Sequence, residues 1–148
     1  MRVLPQSNPT SGGSALAAGF VYFAIVFAAG FALGVLRTVL IAPAVGETAA
    51  VSLELPFILA ISWFAARALI RRFRIGASLR SRLTMGGVAF ALLMIAEICF
   101  SLLLWGRTLV QHLELFRSAP GMIGLVGQIA FGFFPALQSE KTKAAPGR

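Results

Sequence analysis

The chain has 148 residues, of which 58% are hydrophobic and only 12% are charged, with 13 Lys and Arg, five Glu and no Asp. Soluble domains have about a quarter of their residues charged, and a soluble core of this size cannot bury so much apolar surface. Together with a mean hydropathy of +0.87, this composition excludes an ordinary soluble enzyme, a disordered protein and a disulfide-stapled secreted module. It predicts an all-α, polytopic membrane protein.

The predicted elements begin after a tail over residues 1–13, which is rich in Pro, Ser and Gly and is expected to be flexible. Four apolar segments follow, each long enough to cross a bilayer core of roughly 30 Å as a helix. They cover residues 15–42, 48–70, 83–105 and 119–137. Pro43 and Gly46 predict a turn between the first two. Residues 138–148 form a polar tail, so the whole chain, residues 1–148, is expected to be a single membrane domain built as a four-transmembrane-helix bundle.

The segment 106–118 does not fit a membrane span, because its apolar residues share one face of a helix and its polar residues lie on the other faces. A short interfacial helix before the fourth span and a protruding end of the third span both agree with this pattern. The segment contains His112, the only histidine in the chain, which we expect on a solvated face.

Basic residues predict the orientation of the bundle. The chain has a net charge of +8, and its basic residues are concentrated in and beside the loop between the second and third spans. This is the pattern of a cytoplasmic loop. It is not the pattern of a nucleic-acid surface, where aromatic residues interleave with the basic ones. Four spans then place both termini in the cytoplasm of a bacterial-type inner membrane. The same loop is a candidate contact for anionic lipid headgroups, although such a run more often serves only as the topology determinant. The arginines concerned are Arg71, Arg72, Arg74, Arg80 and Arg82.

Four polar residues within the spans require an explanation, because a charge at the centre of a membrane helix costs roughly 2.5–3.5 kcal/mol on insertion scales. Counting residues from the turns, at about 1.5 Å per helical residue, places all four at a similar depth. They lie roughly 8–13 Å below the membrane surface on the side opposite the loop between the second and third spans, which we call the arginine loop. We therefore expect a polar cluster in the bundle interior, composed of Arg37, Glu54, Glu97 and Gln128. Two neighbouring carboxylates in a low dielectric rarely both ionise, so one is expected to hold a proton while the other pairs with Arg37. Such a cluster either fixes helix register or binds protons.

Small residues mark the predicted helix-packing faces. Glycines at this spacing permit close helix approach, although the motif is common in membrane helices. The glycines concerned are Gly30 and Gly34 in the first span and Gly121, Gly124 and Gly132 in the fourth.

Motifs that identify a reaction or a family are missing from the sequence. Cys99 is the only cysteine, so neither an intramolecular disulfide nor a paired-cysteine metal site is expected, and we expect no cofactor. The leading interpretation is a non-enzymatic accessory or structural subunit of a membrane complex, or a homo-oligomer, since the glycine faces exceed what one bundle needs. The first alternative is a proton-coupled carrier or ion-conducting oligomer that uses Glu54 and Glu97. The second is a membrane enzyme acting on a lipid or apolar substrate, with His112 and Glu114 forming a lip over the cluster.

Overall fold

The computed structural model describes residues 10–138, and every regular element in this range is helical. The elements are α1 (Thr10–Leu36), a π-helical turn (Arg37–Ile41) that continues it, α2 (Ala42–Val45), α3 (Glu47–Arg72), α4 (Leu79–Leu104), α5 (Leu109–Leu115) and α6 (Ala119–Leu137). The prediction of an all-helical chain is confirmed for the described residues. Four segments are long and apolar enough to cross a membrane, namely Gly12–Val45 and the helices α3, α4 and α6.

The observed helices extend beyond the predicted spans at several ends. Residues 10–13, predicted to belong to a flexible tail, form the first turn of α1, and the rest of that tail lies outside the described residues. Gln138, assigned to the polar C-terminal tail, is buried, and its Nε2 donates a hydrogen bond of 2.7 Å to the main-chain carbonyl of Trp63. Residues 139–148 also lie outside the described residues.

The arginine loop is shorter than predicted. Helix α3 continues to Arg72, and α4 starts directly after Ser78, whose side chain accepts a hydrogen bond from the main-chain N–H of Ser81 and so caps the helix. Arg80 and Arg82 therefore lie in the first turn of α4 instead of in a loop. The opposite hairpin turns as predicted, since α2 ends at Gly46, which has a φ of +84° that glycine adopts without steric cost.

The four long helices form a ring. Helix α1 packs against α3 and α4, and α6 packs against the same two helices, so α1 and α6 face each other across the middle of the bundle. They meet there through one fully buried side chain, Tyr22, whose ring stacks on Phe131 with 4.5 Å between centroids. The Tyr22 hydroxyl also donates a hydrogen bond of 3.1 Å to the main-chain carbonyl of Phe131.

The apolar core occupies only the half of the bundle next to the arginine loop. Its members come from the start of α1, the end of α3, the start of α4 and the second half of α6, and they include Ala15, Tyr22, Ala66, Leu69, Ile70, Met85, Ala89 and Phe131. Helices α4 and α6 approach each other closely there, because a Cβ added at Gly86 would collide with the carbonyl oxygen of Gly132. Interiors packed in this way exclude water.

Large apolar side chains cover the outside of the ring. Phe57, Phe64, Val126 and Leu103 are all well exposed. An apolar exterior of this kind is costly in water and suits contact with lipid.

Candidate functional site

A cavity of about 630 Å³ occupies the half of the bundle opposite the arginine loop. Phe131 and Ser62 line it at the level of the Tyr22–Phe131 contact, so the packed core closes one end. Residues of the helix ends and of α5 line the other end, including Thr38, Glu47 and Arg107. The cavity is therefore a blind pocket between four helices and not a channel through the bundle.

All four residues of the predicted polar cluster line this one cavity, each from a different element. Together with them, polar residues that the cluster did not include also line it. The full polar set is Arg37, Thr38, Glu47, Glu54, Ser62, Glu97, Ser101, Arg107, His112, Ser118 and Gln128.

The cluster is organised as two separate pairs. Arg37, at the start of the π-helical turn, lies against Glu54 of α3, with 3.2 Å between Nε and Oε2. The Arg37 and Glu54 side chains remain 28% and 14% exposed, respectively. Glu54 Oε2 accepts no hydrogen bond from the described residues, which shows that the Arg37 Nε–H does not point at this oxygen. This ion pair links the π-helical turn to α3 at the wall of the cavity.

The second pair joins α4 to α6. The amide Nε2 of Gln128 donates a hydrogen bond of 2.6 Å to Oε1 of Glu97. The amide carries no net charge, and no cationic side chain among the described residues forms an ion pair with Glu97. The expectation that the two carboxylates share a single site is thus refined: Arg37 pairs with Glu54, and Glu97 stands apart from them with its amide.

His112 lies elsewhere than predicted. Its side chain is only 6% exposed and lines the cavity, instead of occupying a solvated face. Thr108 and Gln111 form a reciprocal capping box at the start of α5, which fixes the direction of this short helix, and the His112 ring packs edge-on against Phe116 with 5.4 Å between centroids. Helix α5 therefore contributes a wall to the cavity, whereas Glu114 on the same helix is exposed.

Three buried polar atoms of side chains that line the cavity from α4, α5 and α6 have no hydrogen-bond partner among the described residues: Oγ of Ser101, Nδ1 of His112 and Oε1 of Gln128. Oε2 of Glu54, on α3, is a fourth such atom in the cavity. Ser101 lies one turn beyond Glu97 on the same face of α4 and is only 4% exposed. Buried polar atoms in native proteins nearly always have a partner, so these atoms mark the cavity as a place where a polar partner fits.

The predicted packing glycines divide into two groups. Gly30 approaches Ile58, Gly132 approaches Phe90, and Gly121 lies so close to the Leu115 carbonyl that a Cβ would collide with it. Gly34 and Gly124, in contrast, have nothing within 4 Å of an added Cβ and line the cavity. Within this chain, these two glycines border the cavity and do not contact a neighbouring helix.

The five arginines expected at the headgroups also differ among themselves. Arg71, Arg72, Arg74 and Arg80 are exposed. Arg82 is only 2% exposed, and its Nε donates a hydrogen bond of 3.3 Å to the main-chain carbonyl of Gly76. Arg82 thus holds the connection between α3 and α4, and the prediction that it contacts headgroups is corrected.

The fold and the site together define an α-helical protein with four candidate membrane spans and a polar cavity closed at one end. Within the described residues, no group of three or more His, Cys, Asp and Glu side chains is arranged to hold a metal ion. No family model matches the chain, and no significant match was found among curated proteins or among solved structures.

Proposed function

We propose that this chain is an integral membrane protein that binds a small molecule in the cavity between its four long helices. The observation that carries this proposal is that ionisable and polar side chains from the π-helical turn, α3, α4, α5 and α6 line one cavity of about 630 Å³. Ligand sites typically have volumes of roughly 300–1,000 Å³, apolar walls and a few convergent polar groups. The binding is proposed to be non-enzymatic.

A purely structural cluster does not require such a space. Ion pairs that only fix helix register are retained within packed interiors, and voids larger than a water molecule are few in folded proteins. Here the packed core ends at Tyr22 and Phe131, and the polar half beyond it is hollow. Gly34 and Gly124 support the same interpretation, because any larger side chain at either position would reduce the cavity.

The arginines favour an orientation in which the cavity opens away from the cytoplasm. Four exposed arginines lie at the packed end of the bundle, and cytoplasmic loops carry an excess of Lys and Arg. We propose a bacterial-type inner membrane with both termini in the cytoplasm, in which Arg71, Arg72, Arg74 and Arg80 contact anionic headgroups. The ligand then enters from the outer side, past the short helix α5.

Filling the cavity tests the proposal. Gly34→Leu places a larger side chain in the cavity without a clash at its Cβ, and Gly87→Leu is a matched control on α4, where an added Cβ also meets nothing within 4 Å but lies outside this cavity. Native mass spectrometry of the full chain in nanodiscs is expected to detect a bound small molecule on the wild type and on Gly87→Leu, and to lose it on Gly34→Leu. Equal occupancy in all three proteins, or none in any of them, would contradict the proposal.

A carrier is the second candidate, and the small direct contact between α1 and α6 favours it. Helices α1 and α6 join across the bundle through one ring stack and one hydrogen bond between Tyr22 and Phe131. Separating these two residues is a first step toward opening the packed half to the cavity, which alternating access requires. If the protein is a carrier, Glu54 and Glu97 carry protons, and Glu97→Gln is expected to abolish a pH-gradient-driven flux in proteoliposomes. A flux that persists in Glu97→Gln would rule out the carrier function.

Two other expectations from the sequence receive less support. A partner subunit or a second copy was expected on the surplus glycine faces, but Gly34 and Gly124 face the cavity of their own chain. An enzyme was expected to need a lip of His112 and Glu114, and His112 does line the cavity. However, Glu114 is exposed, and Ser101 Oγ and His112 Nδ1 have no hydrogen-bond partner among the described residues, so these two are not joined as a nucleophile and its base are.

A further inference from the structure

The second polar pair has a chemistry that specifies a class of ligand. Among the described residues, Glu97 accepts one hydrogen bond, from Gln128, and forms no ion pair, since Arg37 lies against Glu54. A carboxylate in a membrane interior is stabilised when a positive charge or a proton joins it. The α4–α6 side of the cavity therefore accommodates one positive charge, which either a proton or a cationic ligand supplies.

Three unpartnered atoms that line the cavity are able to accept hydrogen bonds. Gln128 Oε1 only accepts, whereas Ser101 Oγ accepts or donates, and His112 Nδ1 accepts when the ring proton is on Nε2. Ser101 and His112 are both more than nine-tenths buried and line the cavity. An ammonium group supplies three N–H donors, which matches these acceptors and the Glu97 carboxylate.

The wall between α1 and α4 is aromatic. Phe100 of α4 lies against Phe27 and Phe31 of α1, with ring centroids 5.6 and 6.2 Å apart, and all three line the cavity. Aromatic faces attract organic cations as well as apolar groups. An anionic ligand, in contrast, would meet the unpaired carboxylate of Glu97.

We propose that the ligand is a small organic amine in its ammonium form, which binds with its charged group against Glu97, Ser101, His112 and Gln128 and with its apolar part against the phenylalanine wall. This inference rests on the proposed function, because it names the ligand class of the same cavity. Arg37 and Glu54 neutralise each other on the far side and form the frame of the site.

The test compares benzylammonium with benzyl alcohol, which has a similar shape and no charge. Calorimetric titration of the full chain in nanodiscs, corrected with empty nanodiscs, is expected to give a wild-type preference for benzylammonium of about tenfold or more, the usual gain from a charge-assisted hydrogen bond. Glu97→Gln is expected to remove this preference. Glu114→Gln, which changes an exposed glutamate outside the cavity, is expected to retain it.

A second variant distinguishes loss of binding from loss of folding. Ser101→Ala removes a buried hydroxyl that has no partner, so the variant is expected to be at least as stable as the wild type while it binds benzylammonium several-fold more weakly. If both compounds bind equally well to the wild type, or if Glu97→Gln keeps the preference, the amine assignment is wrong and the cavity remains a binding site. If neither compound binds to the wild type but native mass spectrometry detects another bound small molecule, the amine assignment alone is wrong; if neither experiment detects binding, the proposed function is wrong as well.

Discussion

Replacing Arg37 by alanine tests whether the ion pair with Glu54 holds α1 to α3. Breaking one side of a fully buried pair costs roughly 3–5 kcal/mol, whereas an exposed pair contributes roughly 0–1 kcal/mol. Arg37 and Glu54 lie between these limits, with 28% and 14% exposure and a single contact of 3.2 Å. We therefore expect Arg37→Ala to lower the free energy of unfolding by about 2–3 kcal/mol.

The measurement is equilibrium unfolding with sodium dodecyl sulfate in mixed micelles, applied as a double-mutant cycle. Arg37→Ala, Glu54→Gln and the double variant are compared with the wild type, and the coupling free energy is expected to be at least about 1 kcal/mol. The loss from Arg37→Ala is partly restored in the double variant, because the amide of Glu54→Gln no longer leaves an unpaired charge in the cavity.

Arg107→Ala is the matched control. Arg107 also lines the cavity, but its guanidinium lies over the Trp105 ring at 5.9 Å and contacts no carboxylate among the described residues. Its removal is expected to cost less than about 1 kcal/mol, as for an exposed cation–π contact. A coupling free energy between Arg37 and Glu54 within about 0.3 kcal/mol of zero, or equal losses for the two arginine variants, would refute this account of the pair.

Three further predictions concern the packed half and the orientation. Gly86→Ala is expected to destabilise the protein by roughly 1–3 kcal/mol through overpacking, because its Cβ would collide with the Gly132 carbonyl. Gly87→Ala has open space around the added Cβ and is expected to be neutral or stabilising by up to about 1 kcal/mol. Equal shifts of the two variants in detergent unfolding would contradict this difference. Tyr22→Phe removes the hydroxyl that bonds the Phe131 carbonyl and is expected to cost about 1 kcal/mol, so an unchanged thermal midpoint would show that this bond does not hold α1 to α6. A green fluorescent protein fused to the C-terminus is expected to fluoresce and alkaline phosphatase fused there to be inactive, and the opposite result would reverse the orientation.

Much of the architecture follows from the sequence, because length and hydropathy determine which segments form membrane-length helices. Counting residues from the turns also predicted that Arg37, Glu54, Glu97 and Gln128 would face one space, and they line one cavity. Depth alone does not determine partners, however. Pairing depends on which face of each helix a side chain occupies, since α1 and α6 each pack against both α3 and α4, and hydropathy does not encode it.

Other features of the site could not be predicted because they depend on tertiary packing. The residues next to His112 in the sequence include several polar ones, which predicts a solvated position. The capping box at Thr108 nevertheless directs α5 so that His112 is buried. Thr108 and Gln111, three residues apart, were the available signal for this cap. Gly34 and Gly86 are indistinguishable as small residues in apolar helices, but one borders the cavity and the other faces the Gly132 carbonyl.

The division of the bundle into a packed half and a hollow half has a consequence for how this protein can change. Tyr22, Met85 and the rest of the apolar core lie at the closed end, whereas most of the polar side chains that line the cavity are grouped at the open end. Substitutions at the open end alter the shape and charge of the pocket while the helices stay anchored elsewhere. Ligand preference can therefore diverge by small steps without loss of the fold, and the hollow half can be redesigned for another molecule on the same four helices.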